Sequence, residues 1–205
     1  MSGVAEPGRR TGRRPGNLDT GSRILDAART RFAQNGYDKV SIRSVADDAE
    51  VDPALVHHYF GTKRQLFIAS IELPVDPDFV LDQIRQTPPE SMGAAIAELI
   101  LNIWESPQRD SVVALFRSAM AGQEVDLIRN FLLQVVLRDV APRVDNPVGS
   151  GSIRVQLVAS QLMGLLAARH VLHLDPLAQV PVGELVDVIA PTLQRYLTGH
   201  LPAQS

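Results

Sequence analysis

The sequence predicts an all-α protein, and three observations carry that expectation. Apolar residues recur at spacings of three and four through most of the chain, helix-start residues precede those runs, and no stretch alternates with period two as a half-buried strand would. No internal repeat is visible either. At 205 residues the chain has room for one large domain or two smaller ones.

The first expected helix is ILDAARTRFAQNGY, which sets Ile24, Leu25, Ala28 and Phe32 on one face and stops at Asn35-Gly36. Ser41 caps a second, SIRSVADDA, with Ile42, Val45, Ala46 and Ala49 inward. Asp52 caps a third and Pro53 takes its first position, where no amide partner is needed. That helix stops at Gly61, and Thr62 caps a fourth, KRQLFIASIEL.

Longer helices follow. One opens at Asp76-Pro77 and reaches about Arg85; another runs from Ser91 through Trp104. Pro107 opens RDSVVALFRSAM, and EVDLIRNFLLQVVLRDV comes next. PRVDNPVGSGS reads as a loop, and SIRVQLVASQLMGLLAARHVLHL and VGELVDVIAPTLQRYL close the chain. Pro191 inside the last helix removes one backbone bond, so a kink is expected near Asp187.

Composition excludes several functions. With no cysteine there is no disulfide framework, thiolate metal cluster or cysteine nucleophile, which fits a cytoplasmic location. The N-terminus does not read as a signal peptide. The longest apolar run, Val155 to Ala168, falls short of the roughly 20 residues that span a bilayer. Charge is split: residues 1–70 hold 11 Lys and Arg against 8 Asp and Glu, whereas residues 71–205 hold 9 against 15. A basic segment that meets an anion is the expected reading. Arg9, Arg10, Arg13 and Arg14 lie in a Gly/Pro-rich leader without apolar period, expected to be disordered when free.

VDPALVHHYFGTK sets two histidines beside a tyrosine, and the metal reading fails on geometry. Adjacent helical residues point about 100° apart, and no HExxH glutamate accompanies His57 and His58. His170 and His173 have ligand spacing, but they end an apolar helix, where histidine commonly caps carbonyls. Gly149 to Ser152 imitates a nucleophile elbow without the strand that one requires, and no phosphate loop is present. No catalytic residue, metal or cofactor is therefore expected.

Two short capped helices across a tight turn around Glu50-Val51-Asp52 are the pattern of a helix-turn-helix, whose second helix enters the major groove. A helical hairpin in an ordinary bundle would share the spacing. The surface chemistry favours the former. With Leu55, Val56 and Phe60 counted as inward, His57, His58 and Tyr59 remain partly outward beside Lys63, and Arg43 projects from the preceding helix. These groups donate to phosphates or base edges.

The run from Ile24 to Ile71, through FAQNGYDKVSIRSVA, VDPALVHHYF and GTKRQLF, resembles the DNA-binding domain of the TetR family of transcriptional regulators. The remaining long helices resemble that family's ligand-binding and dimerisation domain by architecture. The resemblance implies a disordered Arg-rich arm over residues 1–20, a helix-turn-helix domain over 21–68, a helical ligand-binding and dimerisation domain over 69–200, and a tail over 201–205. It places Arg43 where base or phosphate is reached, Ala54, Leu55 and His58 at base-facing positions, and Lys63 at a phosphate. Ser41 and Thr62 complete the expected surface. His57 falls where the family usually has a phosphate-binding tyrosine and Tyr59 where it usually has histidine; Glu50 stands where glycine is usual. Arg13 and Arg14 are expected along phosphates or in a minor groove.

One helix-turn-helix reads few base pairs, so a homodimer on a palindromic double-stranded operator is expected. Ser160, Gly164 and Ala168 permit close approach, and Val186, Ile189, Leu193 and Tyr196 form an apolar stripe, so the last helix pair is the expected interface. The resemblance further implies a small-molecule effector in a cavity that Trp104, Phe116, Met120, Phe131 and Met163 would line, with Arg117 as the polar group to watch. The expected protein is a repressor released by an apolar or amphipathic ligand. A DNA-binding dimer without an inducer stands beside it, as does a helical carrier or enzyme that retains the helix-turn-helix.

Overall fold

A computed structural model describes residues 16–122 and 125–201, with side chains from residue 20. The leader carrying Arg13 and Arg14 and residues 202–205 of the tail lie outside the described residues. Among the described residues every regular element is helical. In chain order these are α1 (Gly16–Lys39), α2 (Ile42–Asp48), α3 (Pro53–Phe60), α4 (Lys63–Ile71), α5 (Pro77–Gln86), α6 (Met92–Trp104), α7 (Arg109–Met120), α8 (Val125–Phe131), α9 (Leu137–Val140), α10 (Gly151–Leu166) and α11 (Val182–Thr198).

The starts follow the expected caps. The Ser41 hydroxyl accepts from the Ser44 amide at 3.0 Å and the Ser44 hydroxyl from the Ser41 amide at 3.1 Å, a reciprocal box that satisfies two orphan donors. Asp52 Oδ1 accepts from the Ala54 amide at 2.7 Å, and Thr62 with Gln65 repeats the box at the start of α4. Three differences from the sequence reading stand out. α1 opens at Gly16, well before Ile24, because its first turns are built on residues with no apolar period to betray them. The expected break at Gly36 is present, with φ 74, although helical bonding resumes to Lys39. The helices ending in α9 and after α10 each contain a π turn, Leu132–Val136 and Ala167–Val171. α11 runs through Pro191 as one helix, as expected; the ring and the Asp187 carbonyl that loses its amide partner both belong to exposed residues, where water can reach that carbonyl.

α1 organises the N-terminal helices. Its fully buried Ile24, Ala28 and Phe32 pack with Val45, Ala46, Val56, Leu66 and Phe67 in one apolar core. Phe32 and Tyr37 both meet the Phe67 ring edge-on, with centroids 4.9 and 5.1 Å away. Polar ties lock the same helices: Arg29 Nε donates to the Ser70 carbonyl at 3.0 Å, and Arg31 grips Asp48 bidentately through its Nε and Nη2, holding that carboxyl below its usual range.

In the second half α6 lies against α11 so closely that a methyl on Gly93 would come within 2.6 Å of the Gln194 amide nitrogen. α10 packs beside α11. Arg154 of α10 is 1% exposed, and its guanidinium donates to the carbonyls of Tyr196, Gly199 and Asn146. A buried cation is tolerated there because it caps the carbonyl end of α11.

Candidate nucleic-acid interface and ligand chamber

Helices α2 and α3 share an inner face and an outer one. Val45, Ala46 and Val56 are buried, whereas Arg43, Ala54, Leu55, His57 and His58 are exposed. Leu55 therefore points outward, at 39% exposure, and the inward placement drawn from periodicity is corrected. A helix only eight residues long presents a narrow inner stripe, which Val56 fills. Arg43 stands apart electrostatically. Among the described residues Arg23, Arg29, Arg31 and Arg64 each pair with a carboxylate, and Arg43 pairs with none.

The ring cluster divides. His57 Nδ1 bonds the Gly61 carbonyl at 2.8 Å, and because that oxygen only accepts, Nδ1 carries the proton. Tyr59 is half-buried: its ring lies 3.7 Å from where a Cβ on Gly21 of α1 would stand, and it meets His58 edge-on. Lys63 departs from the open placement expected of it. Its ammonium donates to the Asp38 carbonyl at 3.2 Å and sits 4.5 Å over the Tyr37 ring, so it leans toward the end of α1. Ser41 and Thr62 are exposed, but their hydroxyls serve the caps. Glu50 adopts φ 54, the left-handed conformation a glycine there would favour.

A chamber of about 330 Å³ opens among α5, α6, α7, α8 and α10. Trp104, Phe116, Met120, Phe131 and Met163 all line it, joined by residues the sequence reading missed: Leu73 to Val75 of the connection after α4, and Leu81 and Ile84 of α5. Among the described residues no charged side chain lines it. Arg117 is not among its walls and faces a neighbouring polar cavity with Arg109, Arg169, His170 and His173. The sign of that cavity in the sequence was the His170 and His173 pair, which the capping reading absorbed. His170 is buried beside Trp104, and burial lowers its pKa, outweighing the opposing pull of Glu105.

On the last helix pair Ser160 and Gly164 are exposed and nothing lies within 4 Å of a Cβ placed on Gly164, while Ala168, Val186, Ile189 and Tyr196 are half-buried. Leu193 is fully buried within the chain and belongs to its core, so the expected stripe is corrected there. Position along a helix sets which residues share a stripe, but the docking of α6 decides which edge of the stripe is covered. Val188 of α11 and Leu172 and Leu174 after the π turn add exposed apolar surface.

Comparison with known proteins follows the same division of the chain. Residues 24–70 match the family model described as bacterial regulatory proteins, tetR family, and residues 90–197 match the one described as tetracyclin repressor-like, C-terminal domain. The HTH-type transcriptional regulator BetI of Brucella abortus (strain 2308) is 38% identical over 79 residues, covering 36% of this chain and 39% of that protein. The HTH-type transcriptional repressor KstR of Rhodococcus jostii (strain RHA1) is 28% identical over 134 residues, 60% of this chain and 62% of the other. The match thus spans less than two thirds of either relative's length. A TetR-family regulator from Streptomyces coelicolor A3 is similar in structure, with 30% identity, coverage of 91% of this chain and 99% of the other, and a TM-score of 0.42. With one model spanning more than half of the chain and the other spanning the helices that carry the exposed Arg43 and histidine face, the chain belongs to the TetR family of bacterial regulatory proteins.

Proposed function

We propose that this protein is a cytoplasmic, sequence-specific DNA-binding repressor that acts as a homodimer on a palindromic operator and is released by a small apolar or amphipathic molecule. The observation that carries the reading is the outer face of α2 and α3, where Arg43, Ala54, Leu55, His57 and His58 are exposed together and Arg43 has no carboxylate partner among the described residues. An unpaired guanidinium beside hydrogen-bonding rings suits phosphates and base edges. In this reading residues 21–68 are the DNA-reading unit and 69–200 the effector and dimerisation unit. Arg13 and Arg14 extend the contact along the backbone. Ser160, Gly164, Ala168, Val186, Ile189 and Tyr196 meet the second copy, and no catalytic step is involved. The repressing sense takes support from the relative named a transcriptional repressor. The effector is apolar because the chamber's walls carry no charge to hold a polar one.

The test is an anisotropy titration with DNA fragments from around the protein's own coding region, repeated at several salt concentrations. Selective binding should appear, and Arg43→Ala should weaken it and flatten the log-log salt slope by about one. Binding that ignores sequence, or an unchanged slope in the variant, overturns the reading.

A further inference from the structure

α7 turns two adjacent faces to two different spaces. Val112, Phe116 and Met120 line the apolar chamber; Arg109, Val113 and Arg117 line a polar cavity of about 630 Å³, within the range of small-molecule sites. Its inner wall is the π turn after α10. There Arg169, with its side chain 8% exposed, donates from Nε to Glu105 Oε1 and from Nη1 to the Leu177 carbonyl, both at 2.8 Å. Those two bonds fix the guanidinium plane, and among the described residues Nη2 takes no hydrogen bond. Next to it His170, with its side chain 9% exposed, has a buried Nε2 without a hydrogen-bond partner; Glu105 Oε1 at 3.6 Å is too far. Nε2 is shut off from the cavity's open space, so the His170 ring forms wall there and the contact-making groups are the guanidiniums.

The charges are arranged by depth. Glu105, the acid of the inner wall, is committed to Arg169. Asp110 and Asp175 stand exposed at the rim, Asp110 beside Arg109 at 3.5 Å. The Arg117 side chain has neither an ion pair nor a hydrogen bond among the described residues. A locked guanidinium inside and a free one at the mouth form a pair of forks suited to planar oxyanions. We infer that this cavity is a second small-molecule site, separate from the apolar chamber, which takes a compact anion of carboxylate or phosphate type between Arg169 and Arg117.

The experiment is isothermal titration calorimetry of the whole chain with succinate, citrate and inorganic phosphate, each against chloride at matched ionic strength. Trp104, the single tryptophan, stands edge-on to His170 at 6.4 Å, so its fluorescence gives an independent signal. At least one anion should bind saturably. A carboxylate preference assigns the site to organic acids, and a phosphate preference assigns it to phosphate or its esters. Arg117→Gln should weaken binding about tenfold, and Arg109→Gln with Arg117→Gln further. Both side chains are exposed, so the ligand-free unfolding midpoint should stay where it is, which separates a lost site from a lost fold. No saturable binding by any of the three anions, or equal affinity in the double variant, overturns the inference. The titration uses neither DNA nor an apolar ligand, so its outcome is independent of the repressor reading.

Discussion

His57 is the side chain of the outer face whose chemistry is most constrained. Its Nδ1–H is spent on the Gly61 carbonyl, so Nε2 of the neutral ring is an acceptor and meets a phosphate oxygen as one acceptor meets another. Contact with phosphate then needs a donor that this tautomer does not offer at Nε2. A tyrosine, which the family resemblance puts at this position, donates at any ordinary pH. His57→Tyr should therefore strengthen DNA binding in anisotropy titrations at constant ionic strength, because the phenol supplies the donor that Nε2 of this tautomer lacks; unchanged affinity would mean that His57 does not meet a phosphate. The caps around this ring were legible in the sequence, since Ser41, Asp52 and Thr62 act within three residues of themselves. The lean of Lys63 toward Tyr37 and of Tyr59 toward Gly21 was not, because both depend on where α1 lies. Glu50 shows the opposite case. It departs from the usual glycine yet keeps φ 54, at a cost of about 1 kcal/mol, so the turn survives the substitution.

Helices were easier to read than their neighbours. Periodicity and caps located α2 to α7 closely, but a π turn adds one residue to a turn without any signature in composition, and both π turns were invisible beforehand. The same limit explains Leu193. Its stripe was recognised, while its burial depends on α6 approaching α11 at backbone distance. That approach rests on Gly93, whose amide also donates to Gln194 Oε1 at 2.8 Å. A methyl on Gly93 would stand 2.6 Å from the Gln194 nitrogen and 2.7 Å from the Ala190 oxygen, and neither backbone atom can swing aside as a side chain would. Gly93→Ala should lower unfolding free energy by about 1–3 kcal/mol in a denaturant titration. A variant as stable as the parent would mean that α6 and α11 part at little cost, and that their spacing is not rigid.

Across the whole molecule, the helices that wall the apolar chamber are also the ones that hold the DNA-reading unit in place. Arg64 of α4 pairs with Asp78 of α5 and lies 3.6 Å from Asp139 of α9, which Arg85 of α5 also holds at 2.6 Å. The chamber is walled by Leu81 and Ile84 of α5, by Val140 of α9, and by Leu73 to Val75, which lead directly out of α4. A molecule that pushed α5 outward would strain the Arg64 latch, and α4, which packs on α3, would be the element to pass that strain on. Nile red, an uncharged apolar dye, is a suitable probe because no charge is needed for entry. If the chamber and the DNA face are coupled, bound dye lowers DNA affinity by some factor, and bound DNA must lower dye affinity by the same factor. Coupling of this kind typically amounts to about 5–150-fold. Arg64→Gln should bring the factor toward one and leave the dye's own affinity unchanged, because Arg64 does not line the chamber. Unequal factors in the two directions would place the dye outside this thermodynamic cycle, and an unaltered factor in the variant would assign the coupling to the Leu73 to Val75 connection instead of the ionic latch.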